Sequence, residues 1–355
     1  MKTKINMEDK KMSISIIIPN YNGKDIILQS LKSIYMQIGV NYEIIVVDDN
    51  SNDNSIEILN TQIREKKIRL YVNTDNKGYS GSCDVGAKHA NYPIIMFMNS
   101  DAFLIEKTHL FQLCNLFIKD PKLGIVGFYQ KNKDQSPQFV GSNIDLFMSL
   151  DPDSSDAIKI QSKLKQTSKD RIDTILMTGG ACYAIRKNIY YQVGGLDSSY
   201  FLYVEELDLM WRIQLFGYKL ITYLATPIIH LGGTSTNNKY DNTTNFKKIY
   251  LRERNSLMTM IKNYHWITLI LVIPIYLLMQ LLQIIYLILI LKPRIVLAYA
   301  YAISDVLNNL KSLMTKRSII QKNRKISDMS LINNKIIINN YKIKHVLKKG
   351  FPAIK

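Results

Sequence analysis

The amino-acid sequence predicts an α/β domain with a mostly parallel central sheet flanked by helices, followed by a C-terminal membrane helix region. Two observations predict the domain. Short apolar runs alternate with helical segments through the first hundred residues, and several of these runs end in carboxylates, asparagines or glycines. A third observation predicts the membrane region, because residues 266–291 form a stretch of 26 residues without a charge. About 20 helical residues span the hydrocarbon core of a bilayer, so this stretch is long enough to cross.

Four runs in the first hundred residues have the features of buried parallel strands, because they are short, β-branched and bounded by turn residues. They are residues 15–19, 42–47, 68–72 and 94–98. Apolar residues between these strands recur at helical spacing. The two helical sets are Ile27, Leu28, Leu31, Ile34 and Tyr35, and Ile56, Leu59 and Ile63. This alternation predicts a parallel sheet covered on both faces, which binds ligands at the carboxyl ends of its strands.

The elements after residue 100 are less regular. Residues 151–170 are rich in Asp, Ser, Lys and Gln without periodicity, which is typical of a mobile surface loop. The further predicted elements are an ordered segment at 172–177, a Gly179-Gly180 turn, a helix over 205–216, a strand over 219–224 and the loop His230-Leu231-Gly232-Gly233. The domain is expected to close near Tyr264.

The chain is predicted to have four parts. They are an N-terminal extension over residues 1–12, the α/β domain over 13–264, a membrane-embedded helical region over 265–310 and a basic tail over 311–355. A single crossing would place the tail outside the cell, against the tendency of Lys and Arg to stay cytoplasmic. A shorter apolar run at residues 295–303 therefore either completes a hairpin or lies in the membrane interface, and Pro274 is placed to bend the first helix. We expect a cytoplasmic tail.

The charge distribution and the cysteine content indicate which partners the chain binds and which cellular compartment the domain occupies. The tail holds 12 Lys or Arg against one acid, Asp328, and so carries +11 of the formal net charge of +17. Beside a membrane segment this charge favours anionic membrane lipids, at roughly 1 kcal/mol per basic residue, over a tail that is merely solvated, and no nucleic-acid partner is expected. Cys83, Cys114 and Cys182 are odd in number and widely spaced, which fits neither a disulfide framework nor a zinc site. Together with a charged N-terminus that has no apolar leader, they predict a domain on the cytoplasmic side of the cell membrane.

Two adjacent carboxylates follow the second predicted strand, in the run Asp48-Asp49-Asn50-Ser51. Carboxylates at a strand end can accept hydrogen bonds from a nucleobase imide or from ribose hydroxyls. Neighbouring residues of an extended strand point to opposite sides, so one of the two is expected to meet the ligand. Asp53 precedes an apolar helical pattern, which favours a helix N-cap over a ligand contact.

A glycine-bearing run, Asn76-Lys77-Gly78-Tyr79-Ser80-Gly81, opens a predicted helix. Glycines let backbone amides approach a diphosphate, and a helix N-terminus attracts negative charge. Such a run also arises from a tight turn, so the run alone leaves both interpretations open.

The fourth predicted strand ends abruptly in Asn99-Ser100-Asp101. A carboxylate at this position is able to hold Mg²⁺ or Mn²⁺ bridging phosphates, since these ions prefer oxygen ligands and keep several waters. His230, on a glycine-flanked loop, offers a nitrogen ligand that Mn²⁺ accepts. The alternatives are a simple strand-ending turn at Asp101 and a histidine without a ligand.

Three carboxylates fall within four residues, at Glu205, Glu206 and Asp208. Acids at a helix start are favoured by the helix dipole, which is one interpretation. Aromatic and aliphatic residues surround these acids, however, so at least one is expected to be half-buried with a raised pKa, as suits a general base. Arg212, four residues after Asp208, is placed to pair with it on one helix face.

Taken together, these runs resemble the family 2 glycosyltransferases, especially bacterial and archaeal enzymes likened to rhamnosyltransferases. The similarity covers about residues 13–255, over which the order and spacing of several motifs agree. The resemblance assigns donor binding to Pro19, Tyr21, Asn22, Asp49, Lys77, Gly78, Tyr79, Asn99 and Asp101. Asn99-Ser100-Asp101 is similar to the family's Asp-x-Asp motif with its first acid replaced, and His230 matches the metal ligand of a His-x-Gly-Gly motif. The Gly179-Gly180 turn would lie between donor and acceptor.

The resemblance implies an A-type glycosyltransferase fold for the catalytic domain and an inverting single displacement at the anomeric carbon. The run Glu205-Glu206-Leu207-Asp208 occupies the place of the family's Glu-Asp-x-Asp motif, whose second acid is the usual base. Glu206 is therefore the expected base, and Glu205 and Asp208 are the other candidates. Mn²⁺ or Mg²⁺ on Asp101 and His230 would neutralise the leaving diphosphate. The implied donor is a UDP-, dTDP- or GDP-linked sugar, and the membrane region suits a lipid-linked saccharide acceptor in cell-surface glycan synthesis.

Two other functions stay open. A sugar nucleotidyltransferase shares the architecture but usually begins with a glycine-rich basic loop, where this chain has Pro19-Asn20-Tyr21-Asn22-Gly23. A non-catalytic membrane scaffold that binds a nucleotide-sugar is compatible with the altered Asp-x-Asp and Glu-Glu runs.

Overall fold

The computed structural model describes residues 13–150, 156–166, 170–173, 175–232 and 243–338. Several predictions fall partly or wholly outside these ranges: the N-terminal extension, residues 151–155 and 167–169 of the mobile loop, residue 174 of the ordered segment, Gly233 of the histidine loop and residues 339–355 of the tail.

A central ten-stranded sheet organises the described residues, in the order β3-β2-β1-β4-β10-β6-β11-β5 with β7 beside β6 and β9 beside β11. The strands of this sheet are β1 (Ser13–Asn20), β2 (Asn41–Asp48), β3 (Arg69–Val72), β4 (Ile94–Met98), β5 (Ala102–Leu104), β6 (Leu123–Lys131), β7 (Pro137–Phe139), β9 (Arg171–Ile172), β10 (Cys182–Arg186) and β11 (Lys219–His230). Two further strands, β8 (Ile144–Asp145) and β12 (Ile337–Ile338), form a separate two-stranded sheet. The first four strands pair in parallel, as predicted. β10 enters antiparallel between β4 and β6, so the second half of the sheet is mixed.

Helices cover both faces of the sheet, which confirms the predicted α/β class. They are α1 (Ile27–Tyr35), α2 (Ser55–Arg64), α3 (Gly78–His89), α4 (His109–Lys119), α5 (Ala157–Gln166), α6 (Lys187–Gln192), α7 (Glu205–Leu215), α8 (Thr243–Asn263), α9 (Trp266–Leu289), α10 (Pro293–Asn308), α11 (Leu310–Asn323) and α12 (Asp328–Asn333). Alternate side chains of β1 enter different cores: Ile16 packs with α1, α2 and α4, whereas Ile17 packs with α3, α6 and α7. Burial on both faces explains why the parallel strands are continuously apolar.

The loops that follow the first three strands lie side by side at the carboxyl edge of the sheet. Backbone pairing continues past the strands, because the Asp49 amide donates to the Asn20 carbonyl (2.8 Å) and the Asn73 amide donates to the Asp48 carbonyl (2.8 Å). The predicted polar residues of this edge are therefore brought together by the sheet itself.

Two local predictions are wrong. Residues 157–166 of the predicted mobile loop form α5, because Ile160 is buried and Leu164, one turn later, packs beside the same core. Asp53 is not the N-cap of α2, since that position is Asn54, with φ +65°. Asp53 instead accepts from the Ser55 amide (3.1 Å) and from the Lys24 amide (2.9 Å), which ties the start of α2 to the loop after β1.

The region after residue 264 packs on the α/β domain through α8. Within the described ranges, α9 is the one helix long and apolar enough to cross a membrane, and it runs through Pro274 without interruption. The predicted apolar run 295–303 lies within α10. Residues 311–338 of the predicted tail are folded: Lys316 Nζ lies 2.7 Å from Asp197 Oδ1, the Lys325 amide donates to the Leu215 carbonyl (2.7 Å), and β12 pairs with β8.

Candidate active site

The two adjacent carboxylates after β2 point apart, as predicted. Asp48 is buried and accepts from Asn20 Nδ2 (2.8 Å) and from the Ser51 amide (2.9 Å), so it joins the loops that follow β1 and β2. Asp49 turns the other way and accepts from Asn73 Nδ2 and from two amides of the glycine-bearing run, each at 2.8 Å. Asp49 therefore shapes the start of α3.

The first amides of the glycine-bearing run donate their hydrogen bonds to a side chain of the domain itself. The amides of Lys77 and Gly78, which the sequence offers to a diphosphate, both donate to Asp49. Gly78 has φ +70°, and a Cβ there would overlap the carbonyl oxygen of Phe201. The Ser80 amide also faces that carbonyl, at 3.4 Å. Glycine is thus required by backbone contact with the segment ahead of α7, and the run links the β2 edge to the predicted base.

The remaining donor-site predictions from the first loop lie at the rim of the same edge. Tyr21 is 41% exposed, Asn22 is exposed with φ +51°, and Pro19 is half-buried within β1. The Asn22 side chain accepts from the Asn52 amide (2.9 Å), which holds this loop against the loop after β2.

The turn into α7 holds three non-glycine residues in the left-handed region: Phe201 (φ +65°), Tyr203 (φ +70°) and Val204 (φ +72°). Each such residue costs about 1–3 kcal/mol, and a β-branched valine is especially disfavoured there. This conformation needs external support, and it aims the first residues of α7, Glu205 and Glu206, at the carboxyl edge of the sheet.

Asn255 of α8 provides that support. Its Nδ2 donates to the carbonyls of Tyr200 (3.0 Å), Leu202 (3.0 Å) and Tyr203 (2.7 Å), and the side chain is completely buried. The neighbouring Arg254 donates to the Tyr200 carbonyl at 2.9 Å. We name the 200–204 segment with its Asn255 contacts the α7 clamp.

The first two acids of α7 have raised pKa values, as the sequence predicts for at least one of them. Burial raises the pKa of Glu205 well above its ordinary value, and the charge of Glu206 raises it further. Burial raises the pKa of Glu206 to about 7, although the nearby His230 opposes the shift. Glu206 is half-buried, and a Cβ at Gly180 would overlap its carboxylate. Gly180 therefore leaves room for a carboxylate that can exchange a proton near neutral pH.

Asp208, the third acid, belongs to a buried ion cluster. Its Oδ2 accepts from Arg212 Nη2 (2.7 Å) and Lys262 Nζ (3.1 Å), and its Oδ1 accepts from Asn263 Nδ2 (3.1 Å). Burial raises the pKa of Asp208, but the charges of Arg212 and Lys262 outweigh burial and lower it. The predicted Asp208–Arg212 pair is confirmed, and it ties α7 to α8.

Asp101 and His230 lie together because β5 and β11 pair antiparallel, which sets His230 opposite Ala102. Gln138 fixes the imidazole: its Nε2 donates to the His230 carbonyl (3.0 Å) and to Asn132 Oδ1 (3.0 Å), so its Oε1 accepts from His230 Nδ1 (2.9 Å). In the neutral imidazole, His230 Nε2 then presents its lone pair toward Asp101 Oδ1, 3.5 Å away. Two acceptors at this distance favour a cation between them, so the pair fits a divalent metal that accepts nitrogen and oxygen.

The described residues include no group of three or more His, Cys, Asp or Glu side chains placed to hold a metal. Two protein ligands with open positions match Mn²⁺ or Mg²⁺ whose shell is completed by substrate phosphates and water. Two amide side chains nearby have enclosed atoms without a hydrogen-bond partner, Asn99 Oδ1 and Gln130 Nε2. A Cβ at Gly179 would overlap Gln130, so this turn packs on that amide.

Comparison with known proteins assigns the chain to a family. The family model described as glycosyl transferase family 2 matches residues 15–193, half of the chain. The chain belongs to glycosyl transferase family 2. This membership confirms the resemblance predicted from the motifs.

Relatives of this family 2 chain match it in part. An "Uncharacterized glycosyltransferase" of Haemophilus influenzae is 36% identical over 107 residues, which make up 29% of this chain and 43% of that protein. Poly-beta-1,6-N-acetyl-D-glucosamine synthase of Staphylococcus aureus (strain MSSA476) is 25% identical over 220 residues, or 62% of this chain and 50% of that protein. The chain thus spans about half the length of these curated relatives.

A solved structure supports the fold. The crystal structure of GalNAc-T7 with UDP, GalNAc and Mn²⁺ is similar with a TM-score of 0.54 at 15% identity, over 71% of this chain and 48% of that chain. The A-type glycosyltransferase fold predicted for this family 2 chain is confirmed.

Sequence reasoning missed the α7 clamp and Gln138. A signal for the clamp was present, because the polar residues Asn255, Thr259 and Lys262 recur at helical spacing on the same face of α8 as buried Leu251 and Met258. Polar side chains on the inner face of a helix indicate specific buried hydrogen bonds. Gln138 had no such signal, since a two-residue contact across β-strands leaves no local pattern.

The α7 clamp gives a first prediction. Asn255→Ala leaves the carbonyls of Leu202 and Tyr203 without their side-chain donor, while Tyr200 keeps that of Arg254, so we expect the turn to relax and Glu206 to shift. A misplacement of about 1 Å reduces turnover roughly 10²-fold, and each orphaned buried carbonyl costs about 1–3 kcal/mol. Steady-state kinetics should show the loss in kcat, with donor affinity little changed. Asn323→Ala, an exposed asparagine on α11, is the control, and equal kcat in the two variants would contradict the clamp.

Proposed function

We propose that this family 2 protein is a membrane-associated glycosyltransferase that moves a sugar from a nucleotide-sugar donor to a hydroxyl of a lipid-linked saccharide acceptor, in cell-surface glycan synthesis. The donor carries UDP, dTDP or GDP, the reaction inverts the anomeric carbon and depends on Mn²⁺ or Mg²⁺, and the catalytic domain lies on the cytoplasmic side of the cell membrane. One observation carries the proposal: a half-buried Glu206 with a pKa of about 7 lies within electrostatic reach of the Asp101–His230 pair.

On the donor side, Asp49 is the proposed nucleobase contact. Its carboxylate offers about four acceptor positions, of which three are occupied by Asn73, Lys77 and Gly78. The remaining position on Oδ2 suits the imide N–H of a pyrimidine or guanine base. The exposed Tyr21 and Asn22 rim the same edge and are proposed to complete the donor site, together with Tyr79 and Asn99.

On the acceptor side, Glu206 is the proposed base. Its carboxylate takes the proton of the acceptor hydroxyl as that oxygen attacks the anomeric carbon opposite the leaving diphosphate, which inverts the configuration. A divalent metal on Asp101 and His230 would neutralise the charge that develops on the diphosphate. Burial raises the pKa of Glu205 and so favours its protonated form, and the ion-paired Asp208 is proposed to hold α7 in place.

The relatives support the substrate class. The Staphylococcus aureus relative is named for the synthesis of an N-acetylglucosamine polymer, and the GalNAc-T7 crystal structure contains UDP and Mn²⁺. Of the alternatives, the family membership disfavours nucleotidyl transfer. A non-catalytic scaffold differs from the enzyme in one observable: the enzyme hydrolyses its bound donor slowly without acceptor, and the scaffold does not.

Calorimetric titration with UDP-, dTDP- and GDP-sugars, with and without Mn²⁺, tests the proposal. We expect the detergent-solubilised protein to bind one donor class and to need Mn²⁺ for full affinity. His230→Ala removes one of two metal ligands, so Mn²⁺ should improve its donor affinity less, while affinity without metal stays as in the wild type. Lack of binding by any donor in the panel would overturn the proposed function.

A further inference from the structure

Helix α9 has its amphipathic faces reversed relative to a helix of a water-soluble protein. Its inner stripe is formed by residues 272, 276, 280, 283 and 287, and includes two glutamines and a tyrosine. Ten leucine and isoleucine side chains between residues 270 and 289 face outwards and are 39–75% exposed, among them Leu271, Leu278 and Leu282. A continuous apolar face of about five turns has to be covered by something other than water.

The inner stripe contacts α8 at two places. In the middle of α9, Tyr276 Oη donates to Glu253 Oε2 (2.8 Å), and Gln280 Nε2 donates to the same oxygen. At its C-terminal end, Leu287 packs with Tyr299 of α10 and Ile249 of α8.

The beginning of α9 is held on the same side of the molecule. The His265 amide donates to Asp328 Oδ2 (2.7 Å), and Arg317 donates to the Tyr264 carbonyl (2.7 Å). Since α8 itself is bound to the α/β domain through the α7 clamp, both ends of α9 lie against elements that are attached to the catalytic domain.

This packing conflicts with a crossing. If α9 spanned the bilayer, α8 and α10 would be buried at the same depth beside it. Arg252, Glu253 and Arg254 of α8 would then lie near the centre of the bilayer, and Asp305 of α10 would enter it as well. Arg254 and Asp305 form an ion pair at 3.0 Å, so these charges are part of the interface between α8 and α10. Charged side chains at the centre of a bilayer are strongly disfavoured.

We propose that α9 docks in the plane of an anionic lipid bilayer, with its outer face embedded and both ends on the catalytic side. The flanks fit this occupant: Trp266, 58% exposed, begins the helix, and exposed Lys292 and Arg294 follow its end. An aromatic anchor, basic residues and an apolar face are the features of interfacial helices. A second copy of the chain fits less well, because the outer face lacks the hydrogen-bonding groups that protein interfaces use.

In-plane docking also places the entrance of the active site at the membrane surface. This placement rests on the proposed function and adds to it a route by which the acceptor reaches the site. Ile249 packs at the C-terminal end of α9, and Lys247, two residues earlier, lies 4.4 Å above the ring of Phe201 in the turn that leads to Glu206. A lipid-linked acceptor would thus reach Glu206 while its lipid stays in the bilayer.

Cysteine labelling of the full-length protein in membranes tests the orientation. The native Cys83, Cys114 and Cys182 are buried, so added cysteines report specifically. We compare Lys292→Cys, just after α9, with Lys67→Cys in the catalytic domain, using a membrane-impermeant maleimide on spheroplasts and on inverted vesicles. In-plane docking predicts that both positions react in the same preparation. Reaction of the two positions in opposite preparations would overturn the proposal.

Binding to lipid vesicles tests whether a bilayer covers the outer face of α9. Leu278→Glu with Leu282→Glu should weaken binding to vesicles of phosphatidylcholine and phosphatidylglycerol about a hundredfold, since each buried leucine contributes roughly tenfold. Ile118→Glu with Ile158→Glu, at exposed apolar residues of α4 and α5, is the matched control and should bind as the wild type. Unchanged vesicle binding of the α9 variant, combined with conversion of a dimer to a monomer in light scattering, would assign the face to a second copy instead. Donor hydrolysis without lipid is followed in parallel, so that failure of the proposed function is seen separately from failure of docking.

Discussion

Glu206→Gln is expected to lower turnover by about 10²- to 10⁴-fold while donor affinity stays close to that of the wild type, because a positioned base contributes in the transition state and not in donor binding. In the wild type, kcat/KM should rise with pH through about 7 and then level, since burial raises the pKa of Glu206 to about 7 and the base must be ionised. The residual activity of the variant should lack this dependence. Release of nucleoside diphosphate from the bound donor is the measurement.

Glu205→Gln is the matched control for this experiment. Burial holds the pKa of Glu205 well above its ordinary value, which favours the protonated acid that glutamine resembles, so activity should change little. A large loss of activity in Glu205→Gln with a mild effect of Glu206→Gln would reverse the two assignments.

Thermal stability gives a second control. A raised folded-state pKa means that ionising Glu206 costs stability as the pH rises, so Glu206→Gln should not lower the melting temperature at pH 8.

The positions of the site residues were largely predictable because a parallel sheet collects its strand ends at one edge. Asp49 and Gly78 follow different strands, yet the order of apolar runs was enough to place them together. The opposite directions of Asp48 and Asp49 follow from strand alternation alone. The meeting of Asp101 and His230 was anticipated through the family resemblance, and the structure explains it by the antiparallel pairing of β5 and β11.

The features that were missed depend on contacts between distant parts of the chain. Hydropathy detects that α9 is apolar, but it does not detect that Tyr276 and Gln280 turn inwards to Glu253, which decides how the helix meets a membrane. The left-handed turn at Val204 has no local signal at residues 200–204, since valine is a poor residue for that conformation and Asn255 of α8 holds the turn through the Tyr203 carbonyl.

Asp208→Asn is expected to destabilise the folded protein by about 3–5 kcal/mol, because it removes the paired carboxylate of the buried Arg212 and leaves Lys262 with Asp197 alone, at 2.8 Å. Arg212 and Lys262 are 3% and 1% exposed, so water cannot replace the carboxylate. The added amide N–H groups would also face the donors of these residues. Chemical denaturation in mild detergent measures the loss. Since the pKa of Asp208 is lowered, the difference from the wild type should persist as the pH falls to the ordinary carboxyl range and disappear only below it.

Asp84→Asn is the matched control, because Asp84 and Lys88 form an ion pair of the same i, i+4 spacing on α3, with 2.8 Å between Oδ2 and Nζ and with Lys88 64% exposed. A solvent-exposed pair contributes at most about 1 kcal/mol, so this variant should unfold nearly as the wild type. Equal stability of the two variants would show that the buried cluster does not hold α7. If Asp208→Asn kept full stability but lost turnover and the dependence on pH near 7, Asp208 and not Glu206 would be the base. The combination of lost stability in Asp208→Asn and lost turnover in Glu206→Gln is therefore the result that separates the acid that holds α7 from the acid that serves as its base.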